Sequence, residues 1–537
     1  MGDQSLLDRA NAAAAEHANV TVSINPATLE KLGHVDNTDL ARLPAMFAAA
    51  RSAQAQWAQK SFAERATHIK KMRDYIVANA EELASIVARD NGKSRVDALA
   101  TEVLPCALAC NWYMKNAAKV LKPKSLGVSS ILFFNKRSQV MHVPMGVVGI
   151  ISPWNYPLSI PFGELVMGLM AGNAIMLKVA AQTPLVGKAI EAIVAAGELP
   201  VGLFHHVVGS GGAVSTAFFK HRIDKLFFTG SVATGKQLMA QAAENLTPLS
   251  LELGGNDPMI VLADADLERA ANGAAWAGYQ NAGQSCGGVA RIYVDRRVHD
   301  QFVALLADKT RKMRHGVDTD FELEMGAMTT HNQLKVVERH VQDALDKGAK
   351  IAAQSTAKGA TPGYFFPATL LTNVHDDMLT MKEETFGPVM AVVPFDTEEE
   401  AILKANNSDL GLTSSVWTRN LSRGKAIAAR LETGVTAIND HLYTHGLSET
   451  PWGGWKLSGI GRTHGAHGLA EMTHTKVINW DILPAKRNLW WFPFSKHTHQ
   501  ALLSALRFAF PRSLGEYVGS SLKLTPYLLK KMFTSWK

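Results

Sequence analysis

From about residue 140 the chain alternates short apolar strands with helices, and this constrains its fold more than any other feature. Pro144 has no amide hydrogen to give a ladder and is tolerated only at a strand's start or edge, so the strand proper reads Met145-Gly-Val-Val-Gly-Ile-Ile-Ser152. A helix at about 161–171, the strand Ala174-Ile-Met-Leu-Lys178 and a helix to about Ala196 follow. Strands at 204–208 and 225–228 and a helix from about Gly235 come next, and a second alternating region occupies about 257–440. Apolar strands separated by helices imply a parallel sheet covered on both faces, hence an α/β fold. Upstream, Ser61-Phe-Ala-Glu64 has the form of a capping box and opens a helical stretch to about Asn91, with Ile69, Met72, Ile76 and Ala80 at helical spacing.

The 537 residues suggest two to four domains at roughly 150 residues each. Three cysteines, Cys106, Cys110 and Cys286, are too few for a disulfide-stapled secreted protein and fit a reducing compartment. Cys106 and Cys110 read as buried small hydrophobes, since no further Cys or His cluster completes a metal site, and no metal is expected. The start, MGDQSLLDRANAAAAEH, lacks the basic and apolar regions of a signal peptide, and Leu6 stands where a myristoylation signal needs Ser or Thr. No apolar run of about 20 residues suggests a membrane-crossing helix. The net charge of +7 is confined to one region. Residues 484–537 hold nine Lys or Arg and one acid, Glu516, while the rest of the chain has 46 basic and 47 acidic side chains.

Several short motifs carry chemistry. Asn281-Ala-Gly-Gln-Ser-Cys286 places a thiol in a turn-rich run beyond an Ala-rich helix, where it can reach an electrophilic carbon. Glu252, in Leu251-Glu-Leu-Gly-Gly255, lies in apolar surroundings that would raise its pKa and make it a usable base; a paired structural carboxylate is the bland alternative. Asn155, in Pro153-Trp-Asn-Tyr-Pro157, could offer its amide to an oxyanion or equally cap its own loop. Lys178 ends a buried strand, where open α/β sheets bind ligands. Phe228-Thr-Gly-Ser-Val-Ala-Thr-Gly235 follows a strand and opens a helix, so its amides could hold a phosphate, although its spacing is not G-x-G-x-x-G. Val208-Gly-Ser-Gly-Gly212 is an incomplete match that reads as a plain turn.

Taken in order, these pieces resemble the aldehyde dehydrogenase superfamily. The resemblance rests on Pro-Trp-Asn at 153–155, Lys178, Phe-Thr-Gly-Ser at 228–231, Glu-Leu-Gly-Gly at 252–255 and Gly-Gln-Ser-Cys at 283–286. Glu383-Glu-Thr-Phe-Gly-Pro388 and Pro451-Trp-Gly-Gly-Trp-Lys-Leu-Ser-Gly459 continue it, so that it spans about Ile24 to Val477. It implies a Rossmann-like cofactor domain at 21–123 and 144–255, a catalytic α/β domain at 256–444, and oligomerisation strands with a bridging segment at 124–143 and 445–483. It also implies oxidation of an aldehyde to its acid with NAD or NADP, in a homodimer or homotetramer. By resemblance Cys286 attacks the aldehyde carbon, Asn155 steadies the oxyanion, and Glu252 activates the water that hydrolyses a thioester. Relatives that pass the acyl group to coenzyme A generally lack this Glu, so its presence favours hydrolysis. Glu384 would hold the nicotinamide ribose, Phe386 would pack by the ring, Trp154 would line the cofactor cleft, and Lys178 would approach the adenosine ribose. Gly230, Ser231 and the turn to Gly235 would take the pyrophosphate. One departure stands out: the family's Glu after Lys-Val-Ala is Ala181 here, which removes a repulsion against a 2′-phosphate, so NADP use is expected.

The resemblance ends near 483. The remaining segment, 484–537, begins with the aromatic Asn488-Leu-Trp-Trp-Phe-Pro-Phe494. Thr525-Pro526 fits an N-cap and first helical position. Beyond it Leu528, Leu529, Met532, Phe533 and Trp536 fall on one face, opposite Lys530, Lys531, Thr534 and Lys537. That pattern suits a peripheral contact with an anionic membrane surface, or packing on the protein itself; nucleic-acid binding is not expected. The chain is expected in the cytoplasm. Apolar medium- or long-chain aldehydes would be the substrates that meet such a surface, and a catalytically silent scaffold of the same fold is the alternative.

Overall fold

The computed structural model describes residues 19–535, so the readings made on the first 18 residues, Trp536 and Lys537 lie outside the described residues. The described residues divide into two compact units, one holding 19–120 and 144–473, the other 121–143 and 474–535.

The larger unit contains two extended sheets. The first orders its strands Gly459–Ile460, Leu249–Glu252, Lys225–Thr229, Val147–Ile151, Ala174–Lys178 and Phe204–His206. All neighbours are parallel except the edge pair Gly459–Ile460 with Leu249–Glu252. The strand order reverses between Val147–Ile151 and Lys225–Thr229, and a crevice opens at the carboxyl ends of strands at such a point. These strands are apolar because helices cover both faces: every residue of Val147–Ile151, Ala174–Lys178 and Lys225–Thr229 is buried, as is all of the helix Ser159–Ala171. The second sheet runs Lys350–Gln354, Thr369–Thr372, Val389–Phe395, Val289–Asp295, Asp257–Val261, Thr413–Trp417 and Val435–Ile438. Only its Lys350–Gln354 edge is antiparallel.

Local signals set several boundaries. Ser61 accepts from the Glu64 amide while the Glu64 carboxylate accepts from the Ser61 amide, which fixes the start of the helix Phe62–Ala78. The helical stretch expected to reach Asn91 is two helices, Phe62–Ala78 and Ala80–Asn91, broken at Asn79. Pro144 is the last residue of the strand Lys136–Pro144, and a separate strand begins at Val147. Cys106 and Cys110 are buried and free, as small hydrophobes should be.

The smaller unit has a three-stranded sheet, Thr473–Asp481, Lys136–Pro144 and Lys124–Leu126, and two helices, Lys496–Ala509 and Leu514–Phe533. Here the structure corrects the sequence reading. The last helix begins at Leu514, capped by Ser513, and Pro526 lies inside it. Lys531, assigned above to a polar face, is buried and donates to the Trp491 carbonyl. Met532 is buried beside it, while Leu529 and Phe533 stay exposed, so the apolar face is divided between an internal seam and the surface. No described helix is long and apolar enough to cross a membrane.

Candidate active site

Cys286 is carried on a reversal of the backbone. The helix Leu267–Tyr279 ends, and Asn281, Ala282 and Gly283 follow with φ of 53°, 54° and 68°. Only glycine fits at 283, since a Cβ there would stand 2.1 Å from the Gly387 carbonyl oxygen. The chain then runs through Cys286 into the strand Val289–Asp295. Cys286 is half-buried and unpaired. Burial, then the carboxyls of Glu384, Asp257 and Glu252, push its thiol well above the usual range.

Asn155 lies on the loop that leaves the strand Val147–Ile151, four residues beyond its end. Its Nδ2 donates one hydrogen to the Gln284 carbonyl at 3.1 Å, and its Oδ1 has no partner among the described residues. The Asn155 carbonyl accepts from Lys93 Nζ at 2.9 Å and from Asn281 Nδ2 at 2.8 Å. Lys93 is paired with Glu102 at 2.7 Å, both side chains fully buried, and the second Glu102 oxygen accepts from the Leu158 and Ser159 amides. Glu102 sits in a π-helical turn, Leu99–Val103, that redirects the helix beside the cavity described below. The Asn155 loop and the Cys286 loop are thus tied through Lys93, Glu102 and Asn281. The first two are not singled out by the sequence, because Lys93 and Glu102 stand among other charged residues, Asp90, Arg95 and Asp97, and carry no local signal.

Glu252 ends the strand Leu249–Glu252, buried, with neither carboxylate oxygen hydrogen-bonded among the described residues. Burial and Glu164 raise its pKa well above the carboxylate range, with Arg462 partly opposing. Glu384 Oε1 accepts from the Gly255 amide at 3.1 Å, and its other oxygen lies where a Cβ on residue 254 would be, which explains Gly254. Burial pushes the Glu384 carboxyl up to about 8. The Trp154 and Phe386 rings meet edge-on with centroids 5.4 Å apart.

Lys178 is the last residue of its strand, 6% exposed, and its Nζ has no partner among the described residues. Burial lowers its pKa to about 8. The ammonium lies 3.9 Å from the place of a Cβ on Gly211, the first residue of the helix Gly211–Lys220, so two sources of positive potential face one spot. Ser231 caps the helix Val232–Ala243, accepting from Thr234, and leaves the first amides of that helix without intrahelical partners. Gly230 is half-exposed just before it, whereas Gly235 is buried in the first turn against Leu253. An unpaired buried cation, open helix amides and two facing rings are the features a dinucleotide would satisfy.

A cavity of about 290 Å³ opens beside Cys286. Leu104, Leu108, Trp276, Leu442, Leu447 and Trp452 make it strongly apolar, with Thr101, Gln280 and Ser285 among its polar atoms and no lysine or arginine in its wall. His445, stacked on Tyr156, also lines it, and burial lowers its pKa to about 4, so it is neutral.

The aldehyde dehydrogenase family profile matches residues 13–478. The chain belongs to the aldehyde dehydrogenase family. It is an NAD(P)-dependent oxidoreductase acting on the aldehyde group. The chain is 39% identical over 435 residues, 81% of its own length and 83% of the relative's, to a putative succinate-semialdehyde dehydrogenase [NADP(+)] of Mycolicibacterium smegmatis. It is 35% identical over 490 residues, 91% of each chain, to a 4,4'-diapolycopene aldehyde oxidase of Methylomonas sp.. The NAD+ complex structure of aldehyde dehydrogenase from Bacillus cereus superposes with a TM-score of 0.81 at 36% identity, covering 86% of this chain and 94% of that one. The sequence-derived site residues Trp154, Asn155, Glu252, Cys286, Glu384 and Phe386 stand on the loops and strand ends around the crevice of this aldehyde dehydrogenase. Lys178, Gly230 and Ser231 stand at other strand ends of the same sheet, and Gly235 is held away from solvent.

Proposed function

We propose that this aldehyde dehydrogenase oxidises apolar aldehydes of medium or long chain, with either NAD or NADP, through covalent attachment at Cys286 and hydrolysis. The observation that carries the reading is the opening of Cys286 into an apolar cavity without a cation, with Glu252 buried and unpartnered nearby. The Cys286 thiol gives its proton to solvent, the S–H pair becomes the new C–S bond as the sulfur adds to the aldehyde carbon, and the carbonyl π pair moves onto the oxygen. The spare Nδ2 hydrogen of Asn155 and the Cys286 amide then take the charge that builds on the oxygen, and Lys93 and Asn281 hold the Asn155 carbonyl so that this loop need not reorganise. The nicotinamide, when bound, takes up the two electrons and the hydrogen that leave the aldehyde carbon, and brings a positive charge. At the resulting acyl level Glu252 removes a proton from water, whose oxygen attacks the thioester carbon as the sulfur departs; its raised pKa makes it a strong base for that step.

Glu384 and the Trp154–Phe386 pair are assigned to the nicotinamide ribose and ring, the Val232–Ala243 helix start with Gly230 and Ser231 to the pyrophosphate, and Lys178 to the adenosine ribose. An unpaired Lys178, with Ala181 three residues on where a carboxylate would repel a 2′-phosphate, supports acceptance of that group. On this reading 21–123 with 144–255 bind the cofactor and 256–444 hold the nucleophile. The strand Thr473–Asp481, exposed over nearly all its length, pairs between subunits in a dimer or tetramer. The basic tail gives the enzyme an anionic membrane surface, into which apolar aldehydes partition. The name of the mycobacterial relative points to an acidic semialdehyde, but no side chain in this cavity would pair a second carboxylate.

Absorbance at about 340 nm, where reduced nicotinamide absorbs, tests the reading with an aldehyde panel. Wild type is expected to turn over aliphatic aldehydes with both cofactors and Cys286→Ala to be silent. Equal rates for the two proteins, or turnover confined to succinate semialdehyde, would overturn it.

A further inference from the structure

The two C-terminal helices are packed inside out for a protein in water. Their seam is made of small residues, Ala501, Ser504 and Ala505 from Lys496–Ala509 and Ser520 from Leu514–Phe533, closed by Leu524 and Met532. Inside it Thr498 and Tyr527 share a hydrogen bond of 2.6 Å, and at its edge the Phe508 ring stacks at 5.0 Å on the exposed Tyr517. The large apolar side chains are turned outward instead. Phe510 is 77% exposed, Leu514 81%, Leu522 71% and Phe533 66%, and Leu506 and Val518 are exposed with them. Leu514, Val518, Leu522, Leu529 and Phe533 recur at spacings of four and seven, one continuous stripe along the helix. Phe510 and Leu514 flank the turn between the helices.

A second observation comes from the segment before the hairpin. Trp490, Trp491, Phe492 and Phe494 are all exposed, with Phe133 5.5 Å from Trp490 in the same unit. The segment is fixed in place: Arg487 donates to the Thr534 carbonyl at 2.8 Å, and Lys531 caps the Trp491 carbonyl. A third is charge. Lys486, Lys496, Arg512, Lys523 and Lys530 have no carboxylate partner among the described residues, and the only ion pair recorded within 484–535 is Arg507–Glu516 at 3.9 Å.

We infer that the hairpin 496–533, with the aromatic segment 490–494, is an interfacial anchor that sits in the headgroup layer of an anionic bilayer without crossing it. Outward leucines and phenylalanines enter the acyl boundary, tryptophans suit the headgroup level, and unpaired lysines and arginines meet lipid phosphates. The absence of a spanning helix among the described residues places the hairpin on the surface. The occupant is a lipid bilayer rather than a second copy of the chain because like-charged cations line the apolar stripe, and a self-pairing surface would bring them together. This deepens the membrane part of the proposed function and is independent of the chemistry at Cys286.

The test is vesicle flotation of the full-length protein. Vesicles of phosphatidylcholine alone are compared with vesicles containing one quarter phosphatidylglycerol, for wild type, Phe510→Ser/Leu514→Ser/Leu522→Ser and Lys523→Glu/Lys530→Glu. Wild type is expected to float with the anionic vesicles only. The triple serine variant should bind at least tenfold more weakly, and the charge variant should lose about fivefold or more per lysine. Aldehyde turnover without vesicles should match wild type in both variants, which certifies their fold and reads the chemistry separately. Wild type left unfloated by both vesicle types overturns the inference, as does a serine variant that floats like wild type. A serine variant that falls to a smaller assembly while floating normally would assign the stripe to subunit contact, and overturns it too.

Discussion

Lengthening the aldehyde by one methylene is the perturbation that the cavity reads most directly. Burying a methylene stabilises by roughly 0.8 kcal/mol, about a fourfold gain in kcat/KM if the contact persists in the transition state. The cavity of about 290 Å³ is about twice an engineered apolar cavity of roughly 150 Å³ that accepts benzene, so it should accommodate roughly twelve carbons. Across butanal, hexanal, octanal and decanal, kcat/KM should therefore rise by roughly 15-fold per two carbons and level off at roughly twelve carbons. Succinate semialdehyde should trail an uncharged aldehyde of equal length by on the order of 100-fold or more, because its carboxylate would be desolvated with no cation in the wall. Ala100→Leu, which adds bulk to that wall, should move the plateau to shorter chains. Initial rates at about 340 nm give all of these values. A profile flat from four to ten carbons, or a preference for the acidic semialdehyde, would refute the reasoning.

Three further outcomes follow. Lys178→Met should lower kcat/KM for NADP by about 10- to 100-fold, the worth of a charged hydrogen bond, and affect NAD much less; steady-state kinetics with both cofactors at pH 7, below the Lys178 pKa of about 8, decide it. Asn155→Ala should reduce kcat by on the order of 100- to 1,000-fold with a normal unfolding midpoint, as removal of an oxyanion donor does. The cofactor-free enzyme should lose stability between pH 7 and 8. Glu164 and Glu384 have folded pKa values near 8, raised from 4.5 by burial, so the folded state keeps protons that the unfolded chain has released, by on the order of 2 kcal/mol per pH unit. The buried histidines, lowered from 6.5, are neutral in the folded state and lose their unfolded-state protons around pH 6.5, so they oppose the trend mainly below pH 7, while Lys178, lowered from 10.5 to about 8, opposes it from about pH 8 upward. Denaturant midpoints at the two pH values measure this, and Glu164→Gln should flatten the change.

What could be read from the sequence is what short-range chemistry sets. Ser61 and Glu64 cap a helix through atoms three residues apart. Apolar runs such as Ala174–Lys178 are apolar because both sheet faces are covered, and a charged residue at their carboxyl end marks the crevice. Other features depend on partners far away in sequence. The Lys93–Glu102 pair matters because it holds the Asn155 carbonyl, a relation of 62 positions that no local pattern contains. Gly254 is explained only by Glu384, 130 residues on. Pro526 reads as a helix start and so puts the terminal helix too late, whereas Ser513, accepting from the Glu516 amide, caps the true one and the seam with Lys496–Ala509 holds the helix through the missing amide. The outward leucines of that hairpin could be listed from the sequence, but which of them face the seam depends on the partner helix.

The central claim is that an acyl group passes through Cys286 and leaves by the action of Glu252. The direct measurement is rapid mixing of Glu252→Gln with octanal and cofactor, followed by intact mass and peptide mapping. One equivalent of reduced nicotinamide per active site should form quickly, turnover should then nearly stop, and an octanoyl mass should sit on the Cys286 peptide. Sustained turnover at the wild-type rate by Glu252→Gln, or an acyl mass on any residue other than Cys286, would contradict the account.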